Sequence, residues 1–196
     1  MTVTLPSRSS PAAGHAVLDV VGPAPGARVL DVGCGRGDTT IAAARRVGPS
    51  GLVIGVDARL TMLEDARARA AGAGLAHVGF VHGDAQSQRF APLRFDVIVS
   101  ALGLDVFADA AAGVANLVRA LRDGGHLAVA ACDDPARVLA ALEEAGLESP
   151  VAAASGVVTA RARPVSSPAA SGSRYPPTDA AGVRAPGPRS DGPARG

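Results

Sequence analysis

The sequence contains no Trp and no Lys, and aromatic residues make up only 3% of its 196 residues. Its 19 basic residues, all of them Arg, are balanced by 18 acidic residues, so the net charge is +1 and no basic stripe is present. Nucleic-acid binding proteins normally need a positively charged face, and those that bind single strands add aromatic stacking platforms. The composition therefore argues against a nucleic-acid partner.

Long apolar runs and cysteine pairs are missing as well. No stretch approaches the roughly eighteen uncharged apolar residues of a membrane helix, and the first ten residues lack the apolar segment of a secretory signal. The two cysteines, Cys34 and Cys132, have neither CxxC nor zinc-ligand spacing. We therefore expect a cytoplasmic protein with no membrane partner, no disulfide framework and no metal site.

The composition divides the chain into three zones. Residues 1–26 are predicted to be an irregular lead-in with a short helix, and residues 27–163 contain enough apolar material to form one folded domain. In residues 164–196, 12 of 33 residues are Pro or Gly. Such a segment buries too little surface to offset the entropy lost on ordering, so we predict a disordered tail.

Strand patterns recur at regular intervals through the middle zone. Two final runs, 150–155 and 157–163, flank Ser155-Gly156 and predict a closing hairpin. Five earlier runs are short and mostly uncharged, as expected of parallel strands covered on both faces: ARVLDVG, GLVIGVD, HVGFVHGD, FDVIVSA and GHLAVAAC. With helices between them, these strands predict an α/β fold: a doubly wound, Rossmann-like sheet of seven strands, mostly parallel with a final antiparallel strand.

Three intervening helices have their own start or stop signals. A Thr-x-x-Glu capping box at residues 61–64 predicts a helix that begins there and ends near Gly72. A second helix is predicted to stop at Gly124-Gly125, and a third to run from Asp134-Pro135 to Gly146.

The first strand runs directly into a glycine-rich turn, VLDVGCGRGDTT, at residues 29–40. Glycine lets a ligand approach the main chain closely, and the turn lies at the carboxyl end of the strand, where open α/β sheets bind ligands. Asp57 ends the second strand, a position from which an acid accepts hydrogen bonds from ribose hydroxyls. These features together predict a nucleotide-like ligand.

The same features also describe an NAD site, so a nicotinamide-dependent oxidoreductase is one alternative. In the G-x-G-x-x-G register, however, the third small residue falls at Asp38, which places a carboxylate where the pyrophosphate would bind. Starting the register at Gly35 places Thr40 there instead. The pattern favours a ligand without phosphate, and Asp31, two residues before the turn, suits one with an ammonium group.

Five blocks of the sequence resemble the class I S-adenosylmethionine-dependent methyltransferases: VLDVGCGRG, VIGVDARLTMLEDAR, FVHGDAQ, FDVIVSALGLDVFAD and LVRALRDGGHLAVAA. The resemblance extends from about Gly26 to Arg163. Residues 95–130 are most similar to the ubiquinone and menaquinone biosynthesis methyltransferases, which act on small organic acceptors. The resemblance implies S-adenosyl-L-methionine as cofactor, a small-molecule acceptor, and methyl transfer by in-line displacement.

The resemblance also implies which residues contact the cofactor. Asp31 would take the ammonium group, Asp57 the ribose hydroxyls and Asp84 the adenine amino group, while Ser100 would lie near the reactive methyl. Each acid has a structural alternative as a turn-capping residue. The remaining implied contacts come from the turn and the adenosine wall: Gly33, Cys34, Gly35, Gly37, Ala58, Arg59, Met62 and Ala85.

No catalytic residue is predicted, because the methyl donor is already activated. If the acceptor is a neutral hydroxyl, a base is needed, and His15, Asp105 and Asp109 are the candidates by position. His82 and Asp96 are interpreted as structural. The sequence lacks the Asn/Asp-Pro-Pro-aromatic and Pro-Cys motifs of nucleic-acid methyltransferases.

The segments that cover the acceptor in this superfamily are short here. Only 28 residues precede Val29, and the fifth strand is followed almost at once by Asp134-Pro135. Three explanations are open: a small acceptor, a pocket completed by self-association with a second subunit, or a non-catalytic S-adenosylmethionine-binding protein.

Overall fold

The computed structural model describes residues 11–90, 94–102, 107–130, 134–153 and 155–163. The predicted tail, Cys132 and Asp105 lie outside these ranges. None of the described helices is both long and apolar enough to cross a bilayer. In chain order the elements are α1 (Pro11–Val21), β1 (Arg28–Val32), α2 (Asp38–Val47), β2 (Leu52–Asp57), α3 (Leu60–Gly72), β3 (Val78–His82), β4 (Phe95–Ser100), α4 (Ala110–Ala120), β5 (Leu121–Ala130), α5 (Pro135–Glu144), β6 (Glu148–Ala152) and β7 (Val157–Arg161).

The strands form one sheet in the order β3-β2-β1-β4-β5-β7-β6. Strands β1 to β5 pair in parallel, and β7 pairs antiparallel with both β5 and β6. The chain starts at β1 in the centre, builds outward to β3, and then returns to build the other side from β4. The predicted doubly wound sheet with an antiparallel strand is confirmed, and the order reverses between β1 and β4, where such sheets bind ligands.

Apolar side chains cover both faces of the sheet. Val29 and Leu30 are neighbours on β1 and point to opposite faces, because side chains alternate along a strand. Val29 packs in a buried cluster with Val17 of α1, whereas Leu30 belongs to a second cluster with Leu117 of α4. Asp31, two residues after Val29, points to the same face as Val29, toward α2.

The start of α3 differs from the prediction. The helix begins at Leu60. Its N-cap residue is Arg59, whose side chain makes no capping hydrogen bond. Thr61 therefore lies inside the helix, and the predicted capping box is wrong. Only two residues separate β2 from α3, and the carboxylate of Asp57 accepts a hydrogen bond from the Arg59 amide at 2.9 Å. The strand end thus satisfies an amide at the helix start.

The second helix boundary also differs. The helix predicted to stop at Gly124-Gly125 ends at Ala120, and β5 begins at Leu121. Leu121 pairs with Phe95 of β4, and the register then shifts before His126 pairs with Val97. The two glycines therefore lie within a bulge of β5, where Gly124 has φ +70°.

The other predicted signals agree with the structure. The carboxylate of Asp134 caps α5 by accepting from the Arg137 amide at 3.0 Å, and Pro135 occupies the first turn. The predicted hairpin is formed by β6 and β7, with its first strand shifted about two residues toward the amino terminus. At the amino end of β4, Asp96 accepts from the Arg28 amide at 2.6 Å and pairs with Arg122.

Candidate functional site

The turn between β1 and α2 is held in a conformation that requires glycine. Gly33, Gly35 and Gly37 have φ values of +71°, +52° and +84°. Residues with a Cβ rarely adopt such values. The alternate glycines seen in the sequence are therefore needed to form the turn, whatever ligand it meets.

Four amides of this turn, those of Gly33, Cys34, Gly35 and Gly37, are already bonded within the chain. The amides of Gly33 and Cys34 both donate to the Val56 carbonyl, at 2.9 and 3.0 Å, and the Gly37 amide donates to the Cys34 carbonyl at 2.9 Å. The Gly35 amide donates to a carboxylate oxygen of Asp57 at 2.8 Å. A pyrophosphate site needs amides that point at the ligand. These four amides are not available to a pyrophosphate, which disfavours a dinucleotide.

Asp31 lies beneath the first turn of α2 and is 1% exposed. Its carboxylate accepts a hydrogen bond from the Thr40 hydroxyl at 2.6 Å. Burial raises the pKa of Asp31 to about 7, and the negative charges of Asp57 and Asp38 add to this effect. Among the described residues no basic side chain forms an ion pair with it. A buried acid without a countercharge is unfavourable in the free protein and well suited to a ligand ammonium group.

Asp57 is buried like Asp31, but its carboxylate accepts several hydrogen bonds, including bonds from a basic side chain. It accepts hydrogen bonds from the Gly35 amide and from both the amide and the guanidinium group of Arg59. Burial would raise the pKa of Asp57, but these hydrogen bonds outweigh burial and hold the pKa below its ordinary value. Asp57 is therefore an ionised acid at neutral pH.

The loop after β3 contains the third predicted acid. Asp84 is exposed, and one of its carboxylate oxygens accepts from the Gln86 amide at 2.9 Å, so it forms the local turn that was its structural alternative. The buried Ala85 follows it. The side-chain amide of Asn116 on α4 donates to the Ala85 and Gln88 carbonyls, each at 2.8 Å, and fixes the loop against α4.

The remaining predicted contacts surround this edge. Ser100 ends β4 and is 1% exposed. Ala58 is exposed, and its carbonyl oxygen lies 3.0 Å from Nε2 of His82, which ties the ends of β2 and β3 together. Met62, in the first turn of α3, is half-buried. The predicted residues thus all lie around the carboxyl ends of β1 to β4, and the Asp57 carboxylate bonds directly to the turn at the Gly35 amide.

Asp38 is the first residue of α2, so a carboxylate lies at the helix start as predicted, but it has a basic partner. In the structure it pairs with Arg69 of α3 at 2.6 Å, and this hydrogen bond lowers the pKa of Asp38. Arg69 also donates to the Arg36 carbonyl at 2.7 Å, so it bridges the turn and the first residue of α2. Because Arg69 partly neutralises Asp38, the bonded amides of the turn are the stronger reason to exclude a pyrophosphate.

The structure describes the surroundings of two of the candidate bases, Asp109 and His15. Asp109 caps α4 by accepting from the Ala112 amide at 3.0 Å. His15 lines a groove of about 490 Å³ together with Asp38 and Arg69. In the described ranges, no cluster of three or more His, Cys, Asp or Glu is placed to hold a metal ion.

Sequence patterns did not reveal the contacts that hold the acids. Thr40, Arg59 and Asn116 were not assigned these contacts, although Arg59 lies in a recognised block. The bond from Thr40 to Asp31 spans nine residues, and Asn116 is 31 residues from Ala85. No spacing rule applies to contacts of this kind, so only the folded arrangement identifies them.

A family model described as Methyltransferase domain matches residues 23–162. This chain belongs to that methyltransferase family. The resemblance stated from the sequence is therefore confirmed, and the matched range includes β1 to β7 and the whole candidate site.

Two relatives and one solved structure illustrate the match. Nocamycin O-methyltransferase from Saccharothrix syringae is 40% identical over 111 residues, which cover 57% of this chain and 40% of that protein. Demethylmenaquinone methyltransferase from Staphylococcus aureus (strain JH9) is 37% identical over 109 residues, covering 56% and 44%. The chain thus spans less than half the length of either relative. A SAM-dependent methyltransferase from Aquifex aeolicus shares the fold, with a TM-score of 0.62, 22% identity, and coverage of 76% and 88%.

Cys34 of the methyltransferase domain is expected to be chemically inert. The residue is 7% exposed, and its side chain packs so closely on β2 that a Cβ added at Gly55 would lie 2.8 Å from the sulfur. Burial strongly raises the pKa of the Cys34 thiol. With Cys132→Ser to remove the other thiol, we expect under about 0.1 equivalent of rapid DTNB reaction in the native protein, because the thiolate is the reactive form. Full reaction is expected after unfolding. Rapid stoichiometric labelling of the native protein would show that the sulfur faces the ligand surface.

Proposed function

We propose that this methyltransferase-domain protein transfers a methyl group from S-adenosyl-L-methionine to a small organic acceptor. The observation that supports this most directly is the placement of Asp31 beside the glycine turn. A buried acid without a basic partner in the described chain suits an ammonium group, and a turn with bonded amides suits a ligand without phosphate. S-adenosylmethionine has both properties.

In this proposal the cofactor is held at its two ends. Asp31 takes the ammonium group, Asp57 takes the ribose hydroxyls, and Asp84 takes the adenine amino group. Ser100 lies near the sulfonium, at the end of the strand next to β1. The turn and adenosine wall are formed by the other predicted residues, Gly33, Cys34, Gly35, Gly37, Ala58, Met62 and Ala85, and by the backbone of Arg59, whose side chain lies on Asp57 instead.

The chain's task in this reaction is alignment. The bound cofactor supplies a methyl group on a sulfonium, which is already activated toward in-line displacement by a nucleophile. Asp31 and Asp57 lie on adjacent parallel strands and fix the orientation of the donor relative to the sheet edge. Asp109 is committed to capping α4, and His15 lies beside Asp38 and Arg69, so neither is assigned as a base.

A small organic acceptor is supported by the relatives' names. One relative is named for O-methylation of nocamycin and the other for demethylmenaquinone. Both names describe organic small molecules. The loops at the carboxyl ends of β4 and β5 are the natural place for such an acceptor, since they follow the strand end that holds Ser100.

Calorimetric titration with S-adenosylhomocysteine and, separately, with NADH tests the proposal. We expect saturable binding of S-adenosylhomocysteine and none of NADH. Binding of NADH alone would identify a nicotinamide-dependent protein and overturn the proposal. A screen of small hydroxyl, enol and quinol acceptors for transfer of labelled methyl then tests turnover. Binding without transfer to any acceptor would support the non-catalytic alternative.

A further inference from the structure

Asp57, the acid that the proposed function assigns to ribose, is fully engaged by its own chain. One carboxylate oxygen accepts from the Gly35 amide at 2.8 Å and from Nη2 of Arg59 at 3.4 Å. The other accepts from the amide of Arg59 at 2.9 Å and from its Nε at 3.2 Å. A ribose that donates two hydroxyls to this carboxylate has to share or replace these donors.

The donors differ in how easily they can leave. The Gly35 and Arg59 amides belong to the turn and to the start of α3, so their removal requires refolding of the backbone. The guanidinium group is on a flexible side chain that is 55% exposed, whereas the Asp57 side chain is 5% exposed. Rotation of Arg59 into water leaves the backbone unchanged and keeps the charged group hydrated.

The guanidinium group also lies over the surface that the ligand needs. A Cβ added at Gly35 would come within 3.8 Å of Nη2 of Arg59. The same group therefore covers part of the glycine turn and one face of Asp57 at once.

We propose that Arg59 determines cofactor affinity by competing with the ribose for Asp57. In the free protein its guanidinium group occupies the carboxylate, and cofactor binding displaces it into solvent. This inference rests on the proposed function, because it concerns the same site. Half-exposed ion pairs are worth up to about 1 kcal/mol, which corresponds to a weakening of cofactor affinity of roughly threefold to fivefold.

Titration of Arg59→Ala with S-adenosylhomocysteine, which has no net charge, is the direct test. The substitution keeps the backbone amide of residue 59, which donates to Asp57. It removes no helix cap, because the Arg59 side chain makes no capping hydrogen bond to α3. We expect affinity to increase by roughly threefold to fivefold, because the competing donor is gone. Unchanged or weaker binding would overturn the inference, since it would mean that Arg59 is irrelevant to the ligand or contacts it.

Arg36→Ala is the matched control. Arg36 lies in the same turn but pairs with Asp65 at 3.2 Å, with both side chains more than half exposed. Its removal changes the local charge equally without touching Asp57, so affinity should stay within about twofold. An equal gain from both variants would indicate a general charge effect and overturn the competition. If neither wild type nor Arg59→Ala binds, the proposed function itself fails.

Nitrogen-15 NMR provides a readout of the displacement. The Arg59 Nε–H signal is identified by its loss in Arg59→Ala, and it reports the bond to Asp57. Saturation with S-adenosylhomocysteine should shift this signal toward that of a solvated guanidinium. A bound complex in which the signal stays unchanged would show that Arg59 remains on Asp57 and would refute the displacement.

Discussion

Asp31→Asn is expected to stabilise the free protein at pH 8 by about 2 to 4 kcal/mol while abolishing measurable S-adenosylhomocysteine binding. At that pH the buried carboxylate is ionised without a basic partner in the described residues. Asn has the same shape, stays neutral, and keeps an oxygen that accepts from the Thr40 hydroxyl, while its buried NH2 group adds two donors whose desolvation offsets part of the gain. The substitution therefore removes a buried charge that is unfavourable in the free protein, and with it the group proposed to hold the ligand ammonium.

The stabilisation should depend on pH with a defined sign. Asp31 has a pKa of about 7 in the folded protein, against an ordinary value of 3.8 for an aspartic acid side chain. Between these values the folded state holds a proton that the unfolded state has lost, so stability falls as pH rises. The contribution of neutral Asp31 is fully present below about pH 4 and is lost as pH approaches 7. Urea unfolding of wild type and Asp31→Asn should show a much larger difference in the free energy of unfolding at pH 8 than at pH 5.

The exposed acid Asp65 provides the control for this comparison. Its side chain is 53% exposed and pairs only with the exposed Arg36 among the described contacts. Asp65→Asn should change stability by under about 0.5 kcal/mol at either pH. If Asp31→Asn behaves in the same way, the carboxylate is not destabilising in the folded state and the case for a ligand countercharge is lost.

Ligand affinity should follow the same titration of Asp31, but it should rise with pH where the stability of the free protein falls. An ammonium group binds the ionised acid, so wild-type affinity should increase about tenfold per pH unit up to about pH 7 and level off above it. Stability and affinity thus change in opposite directions over one pH range. An affinity that is flat between pH 5 and pH 8, or Asp31→Asn binding as tightly as wild type, would place the ammonium elsewhere.

The sheet was predictable because strand patterns are local. Each buried strand is a short, mostly apolar run, and parallel strands covered on both faces do not need polar alternation. Helix boundaries were less predictable, because tertiary contacts decided them. Thr61 has the sequence of a capping residue, yet the short connection from Asp57 starts α3 earlier. Gly124-Gly125 has the sequence of a helix stop, yet pairing with β4 begins at Leu121.

The site was predictable to the extent that strand ends meet at one edge. Asp31, Asp57 and Asp84 follow from this rule, because each lies at or just after the carboxyl end of a strand. The partners of these acids did not follow from it. The sequence assigned Arg59 to the adenosine wall, whereas the structure places its guanidinium group on Asp57. Rotamers and ion pairs of this kind depend on the space that the fold leaves around each side chain.

Gly37→Ala and Gly35→Ala are expected to differ in stability although both glycines have positive φ. A Cβ at Gly37 would lie 3.1 Å from the Ala66 Cβ and 3.3 Å from the Phe80 ring, and both neighbours are fixed by packing. At Gly35 the nearest atom is Nη2 of Arg59 at 3.8 Å, on a side chain that can move. Both substitutions cost about 1 kcal/mol for the left-handed backbone, and crowding at Gly37 should bring its total to about 2 to 4 kcal/mol.

The two variants should have the reverse order in ligand binding, with the larger loss of affinity for Gly35→Ala. A methyl group at Gly35 projects from the turn on the side covered by Arg59, which is the side proposed for the ligand. Urea unfolding should therefore show the larger loss for Gly37→Ala, while titration of the folded variants with S-adenosylhomocysteine should show the larger loss for Gly35→Ala. Because the two glycines are two residues apart in one turn, this reversal separates the surface that contacts the cofactor from the surface that packs on α3 and β3.

Equal losses of stability would mean that the contacts with Ala66 and Phe80 relax freely. Undiminished binding by Gly35→Ala would place the cofactor away from the turn.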